Sequence, residues 1–116
     1  MTNRIAAPRL DYVELPVSGT AASKVFFEEA FGWTLTDFGP SYAATTTGDT
    51  DVGLQGDPAE ASNAPLPIIR VDDLEAALAA VGAAGGTVTR AIFAFPGGRR
   101  FHFREPGGCE LGVWST

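Results

Sequence analysis

The sequence predicts an α+β fold built from two β-α-β-β-β modules that join into one cupped sheet of mixed and antiparallel strands. Three observations predict it. Apolar spacing switches from a period of two to helical spacing and back, once in each half. The elements recur in the same order, so that Val17 matches Val71, Ala22 matches Ala76 and Gly32 matches Gly86. Only the stretch from Asp57 to Pro65 is poor in large apolar residues, and it carries Pro58 and Pro65. It therefore reads as a linker between modules 9–56 and 66–115. One module alone would expose an apolar sheet face, and a second is needed to cover it.

Each element has a local reason. Residues 1–8 read as a loose arm. Leu10 to Val17 is a strand, with Leu10, Tyr12, Glu14 and Pro16 on one face and Asp11, Val13, Leu15 and Val17 on the other. Ser18 or Thr20 is the expected cap of a helix running to Phe31. Its buried stripe is read as Ala22, Phe26 and Ala30, with Phe27 and Phe31 beside it and Lys24, Glu28 and Glu29 toward water. Gly32 supplies the left-handed stop. Trp33–Phe38, Tyr42–Thr47 and Asp51–Gln55 read as strands separated by the turns Gly39-Pro40 and Gly48-Asp49.

The second half repeats this. Leu66–Val71 is a strand, and Asp72 is the expected cap of a helix with Leu74, Leu78 and Val81 on its buried stripe. Gly85-Gly86 ends that helix, and Thr87–Arg90 begins a strand. Ala91–Gly98 reads as a long apolar loop, a lid or a dimer contact. Arg99–Arg104 and Cys109–Trp114 are strands around the turn Glu105-Pro106-Gly107-Gly108.

Composition narrows the function. The chain has 116 residues, 45% hydrophobic and 19% charged, which suits one globular domain. No apolar run approaches the ~20 residues of a membrane span. Met1–Pro8 has no apolar signal core, so a cytoplasmic location is expected. Cys109 is the single cysteine, which excludes an internal disulfide and a Cys-rich zinc site. A net charge of −6 disfavours nucleic acid and is compatible with a cationic small-molecule ligand or with solubility alone.

Three stretches carry a resemblance: Val17-Ser18, Ser23, Phe26-Phe27 and Phe31-Gly32-Trp33; the helix opening Val71-Asp72-Asp73-Leu74; and Phe101-His102-Phe103-Arg104-Glu105-Pro106-Gly107-Gly108-Cys109-Glu110-Leu111. Together they resemble the vicinal oxygen chelate superfamily of glyoxalases, extradiol dioxygenases, fosfomycin-resistance enzymes and bleomycin-binding proteins, over about residues 9–115. The last stretch resembles that family's penultimate strand, Asp-Pro-Asp-Gly-Asn-type turn and final strand. The resemblance implies a glyoxalase-like fold, a pocket cupped by paired modules, and a homodimer. In the family's metalloenzymes, His, Gln and Glu from four strands hold a divalent metal. The matching positions here are Tyr12, Gly53, Leu66 and Gly112. Leu66, Gly53 and Gly112 have no side-chain donor, and a phenol is a poor ligand because it titrates near 10. No metal and no other cofactor are expected. A register-shifted set, Glu14, His102 and Glu110, is the one metal alternative.

Polar groups on the inward faces are the remaining candidates. Tyr12 and Glu14 share a face, as do Leu66, Ile68 and Arg70; Arg100, His102 and Arg104; and Glu110, Gly112 and Trp114. His102, the sole histidine, is either a general acid–base or a structural hydrogen-bonder. Its position resembles that of a substrate-contacting Tyr in the fosfomycin-resistance enzymes. Glu14 stands open between a base, a site for a ligand cation, and an ion pair with Arg70 or Arg100. Glu110 stands open between a ligand contact and a structural ion pair. Tyr12, Trp33 and Trp114 offer stacking surfaces. Cys109 is read as an inert, partly buried thiol. The expected ligand-binding set is Tyr12, Glu14, Arg70, Phe93, Phe95, Arg100, His102, Glu110 and Trp114, with Glu14 and His102 the candidates for catalysis.

The leading expectation is a metal-independent, bleomycin-resistance-like protein that binds a small cationic or aromatic molecule. The alternatives are a lyase, isomerase or dioxygenase working through Glu14 and His102, with or without an atypical divalent metal, and a non-catalytic structural or partner subunit.

Overall fold

A computed structural model describes residues 7–116. The elements run β1 (Arg9–Pro16), α1 (Thr20–Phe31), β2 (Thr36–Asp37), β3 (Tyr42–Ala44), β4 (Asp51–Gln55), β5 (Leu66–Arg70), α2 (Leu74–Ala83), β6 (Thr87–Phe95), β7 (Gly98–Arg104) and β8 (Glu110–Ser115). This is β-α-β-β-β twice, as the apolar periods predict. No described helix is long and apolar enough to cross a membrane.

The described residues form two compact units, 11–66, and 67–116 together with 7–10. In the first, the strand order is β2-β3-β4-β1, with β1 and β4 parallel and the other pairs antiparallel. In the second, the order is β5-β8-β7-β6, with β5 and β8 parallel. The pairing repeats along with the element order. Glu14 lies opposite Gly53 on β1 and β4, and Ile68 lies opposite Gly112 on β5 and β8.

The second unit follows its sequence pattern closely. One face of its sheet carries Ile69, Phe101, Phe103, Leu111 and Val113, which pack with Leu74, Ala77, Leu78 and Val81 of α2. Strand period two then forces Arg70, Arg100, His102, Gly112 and Trp114 onto the opposite face. The cap of α2 is Asp73 rather than Asp72: its Oδ1 accepts from the Ala76 amide at 3.0 Å. Ala77 is fully buried, because it lies between Leu74 and Val81 on the same stripe.

The first unit departs further. Its buried core is Leu35, Ala43 and Leu54, joined by Leu15, Val17, Phe27 and Val52. The stripe expected to bury Ala22, Phe26 and Ala30 instead faces outward: Phe26 is 58% and Phe31 62% exposed. The helix is rotated so that Phe27 enters the core, and two residues read as solvent-facing turn to the sheet. Lys24 bonds Asp37 at 3.1 Å, and Glu28 accepts from the Leu35 amide at 3.3 Å. Neither Ser18 nor Thr20 caps α1. Gly19 holds that position without a side-chain bond, and Thr20 is its first, buried residue.

Two strands are shorter than expected. Trp33–Phe38 contributes only Thr36–Asp37, and Tyr42–Thr47 stops at Ala44. The Asp51 carboxylate draws the following segment into a turn, accepting from the Thr45 and Thr47 hydroxyls at 2.7 and 2.8 Å and from the Thr47 and Gly48 amides at 2.8 and 3.1 Å. Burial alone would raise its pKa. Those donors win and hold it below the ordinary carboxylate range.

The expected loop Ala91–Gly98 is corrected outright. Residues through Phe95 belong to β6, and only Pro96-Gly97 form the turn into β7. The apolar run reads as strand because Ile92 packs toward α2 while Phe93 and Phe95 project to the other side. Register shifts between Val88 and Arg90 and between Arg90 and Phe93 mark bulges within it.

Candidate functional site

The polar interior of the first unit is a row of hydroxyls ending on a carboxylate. Tyr12 and Glu14 leave β1 on one face, and Tyr42 leaves β3 toward them. Tyr42 donates to Glu14 Oε2 at 3.1 Å, so the Tyr12 hydroxyl is the donor in its 2.5 Å contact with the Tyr42 oxygen. Glu14 is only 3% exposed. Burial of the Tyr42 phenol, the negative charge of Glu14 beside it and the neighbouring Tyr12 drive its pKa far upward, so Tyr42 stays protonated. Tyr42 was not a sequence candidate. The available signal was that the chain's two tyrosines both fall in the first module.

In the second unit, the face opposite α2 interleaves arginines with rings. The Arg70 guanidinium lies 4.6 Å over Trp114, whose ring is 6.1 Å from that of Phe95. Arg100 lies 5.7 Å from Phe95 and 5.2 Å from Phe93, and Arg90 lies 3.6 Å over Phe93. Phe93 meets the buried His102 edge-on at 5.7 Å. Register explains the grouping: Trp114 lies opposite both Arg70 and Arg100, and Phe93 opposite Arg100. Arg90 was the member missed, because a loop reading of 91–98 hid that it shares a strand with Phe93.

Two further candidates have other surroundings. The Glu110 carboxylate, on β8 and on the same face as Trp114, accepts from the Thr89 hydroxyl of β6 at 2.6 Å. Cys109 is exposed rather than partly buried. It follows a turn closed by Glu105, whose carboxylate accepts from the Cys109 and Gly107 amides, each at 2.7 Å, and is held below the ordinary range by those two bonds.

The family model described as Glyoxalase/Bleomycin resistance protein/Dioxygenase superfamily matches residues 9–113. The chain belongs to this superfamily. No curated protein matches it. Methylmalonyl-CoA epimerase from Mycobacterium tuberculosis is similar in fold, at 15% identity and TM-score 0.71 over 91% of this chain and 86% of that one. A superfamily member from Vibrio splendidus 12B01 superposes at TM-score 0.68 with 18% identity, over 94% and 98%. An extradiol ring-cleaving dioxygenase from B. fuscum does so at TM-score 0.71 with 18% identity, over 92% of this chain and 32% of that larger one. At these identities the likeness establishes the glyoxalase-like fold.

The divalent metal implied by the superfamily resemblance does not fit the residues present. At Gly53, a Cβ would fall 2.1 Å from both the Tyr12 and the Tyr42 hydroxyl oxygens. The space a glutamate would need is filled by the two phenols. At Gly112, a Cβ would meet Ile68 Cγ1 at 3.2 Å and His102 Cδ2 at 3.5 Å. Leu66 is buried hydrocarbon. Among the described residues, no three His, Cys, Asp or Glu side chains gather as a metal requires.

Proposed function

We propose that this superfamily member binds a small, planar molecule without a chelated metal, and that it works as a bleomycin-resistance-like binding protein. The observation that carries this reading is the fate of Gly53. Two phenols, hydrogen-bonded to each other and to Glu14, occupy the room of a metal-binding side chain. Side chains held that way are costly to displace, because removing a buried donor strands its acceptor. The row of arginines and rings in the second unit supplies the kind of wall that small molecules use. The homodimer suggested by the superfamily resemblance is part of this reading.

A second reading is favoured by the hydroxyl row itself. Tyr12, Tyr42 and Glu14 form a path along which a proton can pass to a carboxylate, as a lyase or isomerase needs. Exchange through such a row would be lost in Tyr42→Phe.

Metal analysis of protein purified without chelators, with melting curves in Zn, Ni, Mn and Fe salts, tests the first reading. Substoichiometric metal and unchanged melting are expected. One tightly held transition ion per chain, with a raised melting temperature, would overturn it.

A further inference from the structure

We propose that the face of the second unit opposite α2 is a receptor for a planar aromatic carboxylate, with Arg70 taking the carboxylate and the Trp114–Phe95 row taking the ring. The inference rests on the small-molecule reading above and names its ligand class. That class is anionic, opposite to what the net charge of −6 suggests.

Arg70, Arg90 and Arg100 on this face each lie within about 6 Å of a ring centroid. A guanidinium beside an aromatic ring keeps its N–H groups in its own plane, where they form the fork that a carboxylate takes with two parallel bonds. An ammonium is a point charge and would accept any anion. The chain's single lysine, Lys24, lies in the first unit and is bonded to Asp37. Arginines set among half-buried rings therefore favour an anion that is itself flat. Arg100, across Trp114 from Arg70, adds a second positive charge.

Three acids of this unit are engaged away from the face, and Glu110, which shares the face with Trp114, is bonded to a hydroxyl. Asp73 caps α2, Glu75 holds Arg99 at 2.6 and 3.0 Å, and Glu105 closes the turn. Arg70, Arg90 and Arg100 thus gather guanidinium groups on one face of an acidic chain, and a small anion is drawn to such groups.

The test is calorimetric titration of the full chain with 2-naphthoate in buffer containing a chelator. The neutral 2-naphthamide, the cationic 2-naphthyltrimethylammonium and inorganic phosphate are titrated alongside. The acid is expected to bind with Kd on the order of 1 mM or tighter. The amide and the cation are expected to bind at least about tenfold more weakly, the loss of one charge-assisted fork. Arg70→Gln is expected to lose about tenfold for the acid, and Arg70→Lys to recover only part, because the planar fork is gone. Arg99→Gln, on the α2 side, is the control and is expected to bind as the parent does. The proposal is overturned if the amide or cation binds as well as the acid, if phosphate competes equally, if Arg70→Gln binds normally, or if nothing binds either in chelator or with divalent metal added. Acid binding that appears only when divalent metal replaces the chelator, yet still needs Arg70, would sink the metal-free reading and leave the ligand class standing.

Discussion

The two halves share a strand order and a pairing scheme but differ in what they do with their helices and open faces. In the second, α2 is sealed by Leu74 and Ala77 against Phe101, Phe103 and Val113. In the first, only Thr20 of α1 is buried, and the exposed rings of Phe26, Phe31 and Trp33 gather around the half-buried Phe27 with centroids 5.2–6.4 Å apart. The opposite faces differ as well. The first unit fills its face with hydroxyls around Gly53, and the second lines its face with arginines and rings. A duplicated topology therefore specifies where side chains point, while side-chain chemistry decides which face is closed and which can receive a ligand.

The sharpest way to break this contrast is to truncate one residue on each helix. Leu74→Ala is expected to cost about 2–5 kcal/mol, as for any fully buried leucine, while Phe26→Ala is expected to stay within about 0.5 kcal/mol. Urea unfolding of both variants measures the difference, and equal losses would mean that α1 is covered as α2 is. A smaller contrast sits at the paired glycines. Gly53→Ala must displace two hydrogen-bonded phenols and is expected to cost about 1–3 kcal/mol. Gly112→Ala meets its nearest atom at 3.2 Å and is expected to cost under about 1 kcal/mol, read from the same unfolding curves.

The smallest effect is electrostatic. Asp51 has a folded pKa below its ordinary value of 3.8, so its contribution is full above that value and is lost as pH falls through the lowered one. Asp51→Asn is therefore expected to lower the melting temperature at pH 7, with the gap to the parent closing as the solution is acidified below pH 3.8. A gap that stayed constant down to the acid limit would show that the carboxylate's charge is not what closes the turn.

Much of this fold was legible in the chain because strand period and helix period leave separate marks. Gly32, Asp73 and the Glu105-Pro106-Gly107-Gly108 turn act locally, and sequence reading placed them to within a residue. What it misplaced depended on distant partners. The rotation of α1 follows from Lys24 reaching Asp37 and Glu28 reaching the Leu35 amide, both across a turn. The β6 hairpin was hidden because Ala91–Phe95 is apolar on both sides, so alternation between polar and apolar residues gives no signal there. At the site, Gly53 and Gly112 were visible as positions with no side-chain donor. That Tyr42 fills one of them depends on β3–β4 register, which sequence does not display.

The chain's two tryptophans report on the two halves separately, Trp33 beside α1 and Trp114 on the arginine-lined face. The most direct measurement is therefore a 15N-correlation NMR titration of the indole N–H signals with 2-naphthoate in the presence of a chelator. The Trp114 signal is expected to move in a saturable way while that of Trp33 stays fixed. Movement of Trp33 alone, or of neither until a divalent metal is added, would contradict the account.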